Sequence, residues 1–575
     1  MGMDLLTVGS FLAFTSMVAL ISYLKTRSDN YHSTEGYFLG GRSLTAGVIA
    51  GSLLLTNLST EQIIGLNGIS FTEGVVCIAW ETIASITMVF LALYFLPRYL
   101  KSGLTTIPQF LEDRFDSSIR TMANVLFLCG YVFVLLPIVL YSGALGISGI
   151  FEIPETFAIT TQQAVWVCVF GIGIIGSIYA IFGGLKAVAV SDTINGIGLL
   201  VGGLIIPYCG LSIIGDGNIF EGFAALKQLN PEKFNAIGQP SDSVPFSTIF
   251  TGMLLVNMFY WCTNQVIVQR VLAARNLKEG QKGVLLAGAI KLLSPTIAVL
   301  PGIIAFHLYG DIIEKNDLAY PVLVKKVLPA PLVGFFAAVL VGAILSSFNS
   351  TLNSASTLFS IGIYKKYIRP NASEGSVVKT GKIFCSFLAI ISMFVAPLIA
   401  YAPHGLFGYL QEVNGCYTIP ILTVILMGFI NNRVPSIAAK VGLIFGSLLY
   451  ILCSFVLNLD IHFLHLMFLI FVCNIVLMLT ITYFYPRKQA WTHVYTMQVD
   501  IKPWRLAIPT GVGIVAITIT NYLYFSPLSY IWYLPLSIYA LYLIVYSSWH
   551  RRPLNSEEAR NIKDLKQQLD NPGSP

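Results

Sequence analysis

Charged residues are scarce in this chain of 575 amino acids. Asp, Glu, Lys and Arg make up 11% of it and hydrophobic residues 55%, whereas soluble domains carry about 25% charged residues. This scarcity excludes a water-soluble globular enzyme, and the mean hydropathy of +0.75 predicts a polytopic membrane protein. The formal charge of +6 gives no reason to expect a nucleic-acid partner, because in a membrane protein the positions of the charges matter more than their sum.

Patterns typical of catalysis and metal binding are also missing. The nine Cys residues stand singly, without CxxC or Cys/His spacing, so we interpret them as small core residues. A membrane enzyme could use Glu81 with His307 or His404, but both histidines fall near predicted helix ends, and no GxSxG or HExxH motif supports catalysis. No Arg is predicted deep in the core helices, which disfavours an acidic or zwitterionic substrate. We expect neither an enzyme nor an organic cofactor.

Long apolar runs make up most of the sequence, and a run of about 20 residues can cross a bilayer. About fifteen such runs lie near 4–24, 45–69, 74–98, 119–149, 162–183, 188–214, 247–268, 281–309, 330–364, 378–400, 404–430, 435–458, 461–485, 505–522 and 528–547. With the N-terminus outside, Lys and Arg collect in the predicted inner loops, as the positive-inside rule expects. The exception is a predicted outer loop that holds Lys315, Lys325 and Lys326. The pattern predicts an odd number of spans and a cytoplasmic C-terminus.

Three polar segments are long enough for structure of their own. Residues 215–246 and 310–329 contain Gly, Pro and mixed charge, and we expect short external helices in both. The polar stretch 548–575 is predicted to be a cytoplasmic tail whose residues 553–575 form a short, fraying helix. The first apolar run has no basic segment before it, so residues 1–30 are interpreted as a retained helix rather than a signal peptide.

One predicted span is unusually polar. The run 53–68, "LLLTNLSTEQIIGLNG", carries Thr, Asn, Ser, Thr, Glu and Gln between residues 56 and 62. Polar side chains at membrane depth are costly and usually mark a functional path. Gly51, Gly65 and Gly68 permit irregular backbone, which is tolerated there only beside protein or water. The run predicts a broken helix, with a polar helix–helix interface as the alternative.

Other polar groups occur inside predicted spans, and together they narrow the chemistry. They are Glu81, Asn257, Tyr260, Trp261, Lys291, Ser346, Ser347 and Gln411. One acid, one base and several amides suit a neutral polyhydroxylated ligand, on whose ring an aromatic side chain can stack. Paired hydroxyls beside the free carbonyls of a broken helix suit a hard monovalent cation.

Seven motifs resemble the sodium/solute symporter family, and its bacterial sodium/galactose-type branch in particular, and they contain all of these residues except Glu81. In order, the motifs are "NLSTEQIIGLNG", "GLTTIPQFLEDRF", "IYAIFGGLKAVAVSD", "NMFYWCTNQVIVQR", "KLLSPTIAVLPG", "SSFNSTLNSAST" and "GYLQEVNG". The resemblance runs from about residue 37 to 485. It implies an all-α, LeuT-like fold with two inverted five-helix repeats, 45–214 and 247–430, followed by additional transmembrane helices over 435–547.

The resemblance also implies roles for individual residues. The sugar would be bound by Gln62, Glu81, Asn257, Lys291 and Gln411, with Tyr260 as an inner gate, Trp261 beside it and Phe407 in the outer gate. Sodium would be held by the carbonyls of Leu55, Leu58 and Ala343 and the hydroxyls of Ser346 and Ser347. Asp192 matches an aspartate on the inward ion path. No family role is assigned to Glu61.

The chain departs from the galactose-type pattern at three positions. Ala84 replaces a hydroxyl residue that helps to hold the sugar, Trp80 replaces a Tyr, and Leu66 replaces a Met. A deoxy-sugar such as fucose is therefore compatible with the site, and the hexose is left open.

The resemblance implies a monomeric symporter in a bacterial inner membrane. We hypothesise one sodium ion per monosaccharide because only one hydroxyl pair, Ser346 and Ser347, is apparent. An organic acid or a zwitterion as the solute, or a sugar sensor without transport, are the alternatives.

Overall fold

The computed structural model describes residues 5–27, 33–401, 406–493 and 495–551. His404 and the predicted tail beyond residue 551 lie outside the described residues. Within them the chain is helical throughout, and the single strand-like pairing is an isolated parallel bridge between Leu44 and Ala274.

The described helices fall into two halves. Those of the first half are α1 (Leu5–Thr26), α2 (Thr34–Leu39), α3 (Ala46–Asn57), α4 (Thr60–Glu73), α5 (Ile78–Phe90), α6 (Leu96–Lys101), α7 (Ile107–Arg114), α8 (Ser117–Gly130), α9 (Leu136–Ile150), α10 (Ile153–Phe157), α11 (Thr161–Ile214) and α12 (Ile219–Leu229). Those of the second half are α13 (Gly252–Cys262), α14 (Gln265–Leu272), α15 (Leu277–Lys291), α16 (Ser294–Ala298), α17 (Leu300–Tyr309), α18 (Ala319–Val327), α19 (Ala330–Phe359), α20 (Glu374–Val395), α21 (Leu406–Ile430), α22 (Ser436–Ile451), α23 (Phe463–Phe484), α24 (Ala507–Tyr524) and α25 (Leu534–Arg551).

Several helices continue through a π-helical segment, as α5 does into α6 and α8 into α9, while α19 ends in one at Ser360–Ile368. Counted as continuous helices, thirteen in the described part of the chain are long and apolar enough to cross a membrane, and Ala46–Asn57 and Gly252–Cys262 are shorter apolar helices. Each predicted span coincides with one helix or with consecutive helices. The number of crossings and the side on which each end lies stay predictions.

The polar run 53–68 is broken where the sequence predicted. Helix α3 ends at Asn57, and Leu58 has non-helical backbone (φ −76°, ψ 54°). Ser59 is extended and α4 begins at Thr60. The peptide groups at such a break lose their helical partners, so carbonyls at the end of α3 and amides at the start of α4 become available.

A second break separates α13 from α14. Thr263 leaves the helical region, and the Asn264 side chain caps α14 by accepting a hydrogen bond from the Val266 amide. The two broken pairs therefore recur at matching places in the two predicted repeats. The long helix α11 also has a sharp turn, at Gly184 (φ 58°, ψ −176°), where the sequence predicted a loop between two spans.

Long helices surround the two broken pairs. Helix α11 packs on α3, α9 and α19, while α15 packs on α3 and α5, and α13 on α5 and α21. The polar ends of α3 and α4 are consequently enclosed by protein, which is the condition for irregular backbone at membrane depth.

The segment 215–246 contains short helices, as predicted, and it is fastened to the end of α4. The buried Lys233 ammonium donates to the carbonyls of Phe71 (3.1 Å) and Thr72 (2.5 Å). Gly74 has φ +80°, and a Cβ there would lie 2.3 Å from the Lys233 carbonyl oxygen, so the close approach requires glycine. The predicted external segment 310–329 likewise contains α18.

Candidate functional site

An ion pair between α5 and α15 forms the centre of the site. The Lys291 ammonium lies 2.6 Å from Oε2 of Glu81, and neither side chain has exposed surface. Gln62, in the first turns of α4, donates from Nε2 to Oε1 of Glu81 at 2.6 Å. Lys291 also donates to Oδ1 of Asn57, the last residue of α3. Both sides of the break are thus bonded to one buried, charge-compensated pair.

Aromatic rings stand around this pair. The Trp261 ring lies 5.8 Å from the Lys291 ammonium, and Tyr260 packs edge-on against Trp261 at 5.3 Å between ring centroids. Trp80, next to Glu81, contacts Phe407 edge-on at 5.2 Å. Rings on both sides of a polar centre can stack on a sugar and can also act as gates.

A cavity of about 60 Å³ adjoins the break. Among its lining residues are Asn57, Glu61, Gln62, Tyr260, Asn264, Ser347, Gln411, Asn414 and Thr418. At about 30 Å³ per water molecule this space holds about two waters, well short of the roughly 300 Å³ of a small-molecule pocket. A ligand as large as a hexose would fit this space only after lining side chains move.

Hydroxyl groups of α19 face the end of α3. The Ser347 hydroxyl donates to the Thr56 carbonyl at 3.1 Å, and the hydroxyls of Ser346 and Thr56 are 3.4 Å apart. Both serines are buried, as are Leu55, Leu58 and Ala343. Oxygen atoms from a helix end and two hydroxyls suit a hard cation.

Asp192 lies in a second buried charge cluster close to these hydroxyls. Its Oδ2 accepts from the Ser52 hydroxyl at 2.6 Å and lies 3.6 Å from the Arg270 guanidinium. Arg270 has no exposed surface, and it also donates to Ser52 (2.8 Å) and Ser350. The prediction that no Arg lies deep in the core helices is therefore wrong, because Arg270 was assigned to a loop although it belongs to α14.

The structure brings together most of the predicted sugar-site residues. Gln62, Glu81 and Lys291 are in direct contact, and Gln62, Tyr260 and Gln411 share the cavity. Asn257 instead donates to the Met253 carbonyl of its own helix at 3.0 Å.

Asn57, one of the polar residues of the run 53–68, was given no ligand role from the sequence, and the structure shows its contact with Lys291. Its position directly before a predicted break was the signal for this contact. His307 belongs to α17, and its ring lies within hydrogen-bond distance of the Asn230 side chain, at 3.2 Å. Among the described residues it makes no hydrogen bond to Glu81.

Comparison with known protein sequences agrees with this architecture. The family model described as "Sodium:solute symporter family" matches residues 37–446. An "Uncharacterized symporter YidK" from Escherichia coli is 46% identical over 96% of this chain and 97% of its own length. The "Sodium/glucose cotransporter" of Vibrio parahaemolyticus is 34% identical over 72% of this chain and 78% of its own length. The human "Sodium/myo-inositol cotransporter 2" is 30% identical over 78% of this chain and 69% of its own length.

Solved structures show the same fold. A Na⁺-coupled sialic acid symporter superposes with a TM-score of 0.72, covering 85% of this chain and 100% of its own, at 19% identity. The transporter Mhp1 in a closed conformation gives a TM-score of 0.53 at 13% identity, covering 80% of this chain and 97% of its own. The similarity confirms the LeuT-like fold. The chain is a multi-pass membrane transporter, not an enzyme, and it belongs to the sodium:solute symporter family.

Proposed function

We propose that the protein is a sodium-driven symporter that imports a neutral monosaccharide by alternating access. The observation that carries the proposal is the buried Glu81–Lys291 pair, to which the Gln62 amide is bonded. Because the acid and the base compensate each other, this pair offers hydrogen bonds without a net charge of its own, and these suit sugar hydroxyls better than an ionic group.

In the proposal, hydrogen bonds from the sugar hydroxyls replace hydrogen bonds that the side chains of the site make with one another in this structure. Gln62, Glu81, Lys291 and Asn57 satisfy one another, and a polyhydroxylated ring can substitute for these bonds. In the proposal Gln411 and Asn257 add amides, Tyr260 stacks on the ring with Trp261 beside it, and Phe407 closes the outer side.

Sodium binds where α19 faces the end of α3. Its ligands in the proposal are the carbonyls of Leu55, Leu58 and Ala343 and the hydroxyls of Ser346 and Ser347, while Asp192 lies on the path by which the ion leaves. Sodium fixes the end of α3, and this positions Asn57 and the start of α4 for the sugar. The two ligands then bind with a coupling free energy.

The membrane potential supplies part of the free energy that drives the proposed transport cycle. With one sodium per sugar, one charge crossing about 100 mV supplies about 2.3 kcal/mol, or roughly 50-fold accumulation from the potential alone. The two repeats rock around the site, and the rings of Tyr260 and Phe407 move in alternation.

The test is uptake of labelled solutes into proteoliposomes under an inward sodium gradient, with potassium as the control. The panel holds hexoses, deoxyhexoses, myo-inositol, an organic acid and sialic acid. We expect sodium-dependent accumulation of a neutral sugar, which Gln62→Ala abolishes while the protein stays folded. Gln162→Ala, an exposed position on α11, is the matched control and should transport normally.

Sodium-dependent uptake of the acids alone would support the alternative of an organic acid or zwitterion as solute. Absence of any sodium-dependent accumulation would contradict the proposal. A charge-to-sugar ratio of two would contradict the one-to-one stoichiometry.

A further inference from the structure

A second cavity, of about 560 Å³, lies apart from the candidate site. It opens between α2, the α6–α7 loop, α8 and the π-helical end of α19. The side chains that line it are Thr34, Glu35, Leu39, Arg42, Thr105, Gln109, Arg120, Ile361, Lys365, Lys366 and Gln498, together with Gly103. Its volume is within the range of about 300–1,000 Å³ typical of small-molecule sites.

Arg120 points to a ligand for this cavity. The residue is 8% exposed, and its guanidinium donates to Oε2 of Glu112 at 2.5 Å and to the Ile361 carbonyl at 3.2 Å. Its Nε is buried without a hydrogen-bond partner. Nε itself is closed off from the cavity, but the two terminal nitrogens of this lining side chain each make only one of these bonds and carry a second N–H that is available to an anion.

Lys365 is the second available cation. Within the described part of the chain the side chain of Lys365 makes no hydrogen bond or ion pair. The other two lining cations are engaged: Arg42 lies 3.3 Å from Glu35, and Lys366 pairs with Glu112. The second N–H groups on the two terminal nitrogens of Arg120 and the ammonium group of Lys365 therefore remain to bind a ligand.

The charge balance at the cavity is positive. Four cations line the cavity, and Glu35 is the one carboxylate among its described lining residues. Three of the cations pair with Glu35 or with Glu112, and Lys365 pairs with neither. Glu374 accepts from the Thr34 amide at the rim and Asp113 lies near Arg120, so the excess of positive charge belongs to the lining residues themselves. This excess opposes the passage of a sodium ion, which argues against a role as the ion exit. It is the electrostatic environment that binds an anion.

We propose that this cavity binds a phosphate-bearing anion through Arg120 and Lys365. Guanidinium and ammonium groups make charge-assisted hydrogen bonds with phosphate oxygens, and Arg adds planar, directional recognition. The loops that form the cavity are predicted to be cytoplasmic, where anionic lipid head groups and soluble phosphorylated compounds both occur. The two sources share this chemistry and are separated by experiment.

Binding is tested on the full-length protein without reference to transport, so the outcome is independent of the proposed sugar. The first probe is inorganic phosphate, supplied as the potassium salt and compared with potassium chloride at equal ionic strength and constant sodium. The second is reconstitution into vesicles of phosphatidylethanolamine with phosphatidylglycerol, or with phosphatidylcholine in its place. Thermal unfolding is the readout in both.

The decisive variant is Lys365→Gln, because among the described residues the Lys365 side chain has no hydrogen bond or ion pair that the substitution would remove. We expect it to weaken the stabilising effect of phosphate or of phosphatidylglycerol about tenfold in ligand concentration, the loss of about one charge-assisted hydrogen bond. Lys326→Gln on α18 makes the same charge change elsewhere and should respond as the wild type does. Arg120→Gln should show a larger loss if it folds.

Stabilisation by phosphate that Lys365→Gln weakens identifies a soluble ligand. Stabilisation by phosphatidylglycerol alone, weakened in the same way, identifies a lipid head group. If neither probe stabilises the wild type, or if Lys365→Gln and Lys326→Gln respond alike, the proposal is overturned.

Discussion

Glu81 and Lys291 belong to helices that are distant in the sequence, yet their carboxylate and ammonium groups lie 2.6 Å apart without exposed surface. Because Gln62 and Asn57 bond to the same pair from the two sides of a broken helix, the geometry of the break depends on a charge pair contributed by other helices. The pair therefore has a structural role and, in the proposed function, a binding role.

Stability and uptake can be separated at this pair. Lys291→Met leaves a buried carboxylate without its partner, and we expect a loss of about 3–5 kcal/mol. The double variant Glu81→Gln/Lys291→Met should recover most of this stability but no sugar uptake. Thermal unfolding and uptake measure the two effects.

The pair Asp116–Lys440 is the matched control, since its side chains are 32% exposed and 2.8 Å apart. Lys440→Met should cost no more than about 1 kcal/mol. An equal loss for Lys291→Met and Lys440→Met would show that burial of the Glu81–Lys291 pair is not what makes it important.

Ser52 couples Asp192 to Arg270, because its hydroxyl donates to the carboxylate and accepts from the guanidinium. Asp192→Asn and Ser52→Ala each disrupt one connected network, so their effects should not add. We expect the double variant to be destabilised by less than the sum of the single variants, with a coupling of about 0.5–3 kcal/mol. Chemical denaturation of the four proteins measures it, and strict additivity would contradict a shared network.

The proposed sodium ligands give a kinetic prediction. Ser347→Ala removes a hydroxyl that faces the end of α3, and we expect the sodium concentration for half-maximal uptake to rise about tenfold, as for the loss of about 1.4 kcal/mol of binding. Ser356→Ala on the same helix is the control, because that buried hydroxyl has no hydrogen-bond partner. Sodium titration of sugar uptake distinguishes the two variants, and identical curves would remove Ser347 from the ion site.

Ala84 gives a prediction about selectivity. It is buried at 1% exposure, one turn beyond Glu81, and in the proposed sugar site its methyl group replaces a hydroxyl that would bind a further sugar oxygen. Ala84→Ser should raise uptake of a hexose relative to its deoxy analogue, by up to about tenfold for one hydrogen bond. Competition uptake with matched hexose and deoxyhexose pairs measures the ratio. No change in the ratio would place Ala84 outside the sugar contact.

His493 predicts a dependence of stability on pH. Burial lowers the pKa of His493, the charges of Lys101 and Arg98 lower it further, and the hydrogen bond to the Arg98 carbonyl opposes the shift. The pKa of His493 in the folded protein lies below the unfolded value of about 6.5. Neutral His493 therefore contributes its full stabilisation of the fold above about pH 6.5, and this contribution is lost as the pH falls through the folded pKa. His493→Gln keeps a donor but cannot titrate.

We therefore expect acidification from about pH 7.5 to 5.5 to destabilise the wild type more than His493→Gln. Thermal unfolding across this range measures the difference. Equal slopes for the two proteins would contradict the prediction.

The apolar runs by themselves determined the helices and the all-α membrane class, because a segment that spans a bilayer must satisfy its backbone within one helix, whereas the LeuT-like fold was implied by the family resemblance. The break after Asn57 was equally visible, since polar residues and glycines interrupt an apolar run there. The motifs that contain Gln62, Asn257 and Lys291 indicated the family, which the comparisons confirm.

Only the tertiary structure decided which of these groups meet. Sequence spacing cannot show that Lys291 reaches both Asn57 and Glu81, because the contact is made by packing between distant helices. Arg270 shows the same limit, because it stands beside a loop in the sequence, and only the fold buries it against Asp192. The local pattern of apolar and polar residues determines where a helix forms or breaks. Packing between distant helices determines which buried charged groups meet and form an ion pair.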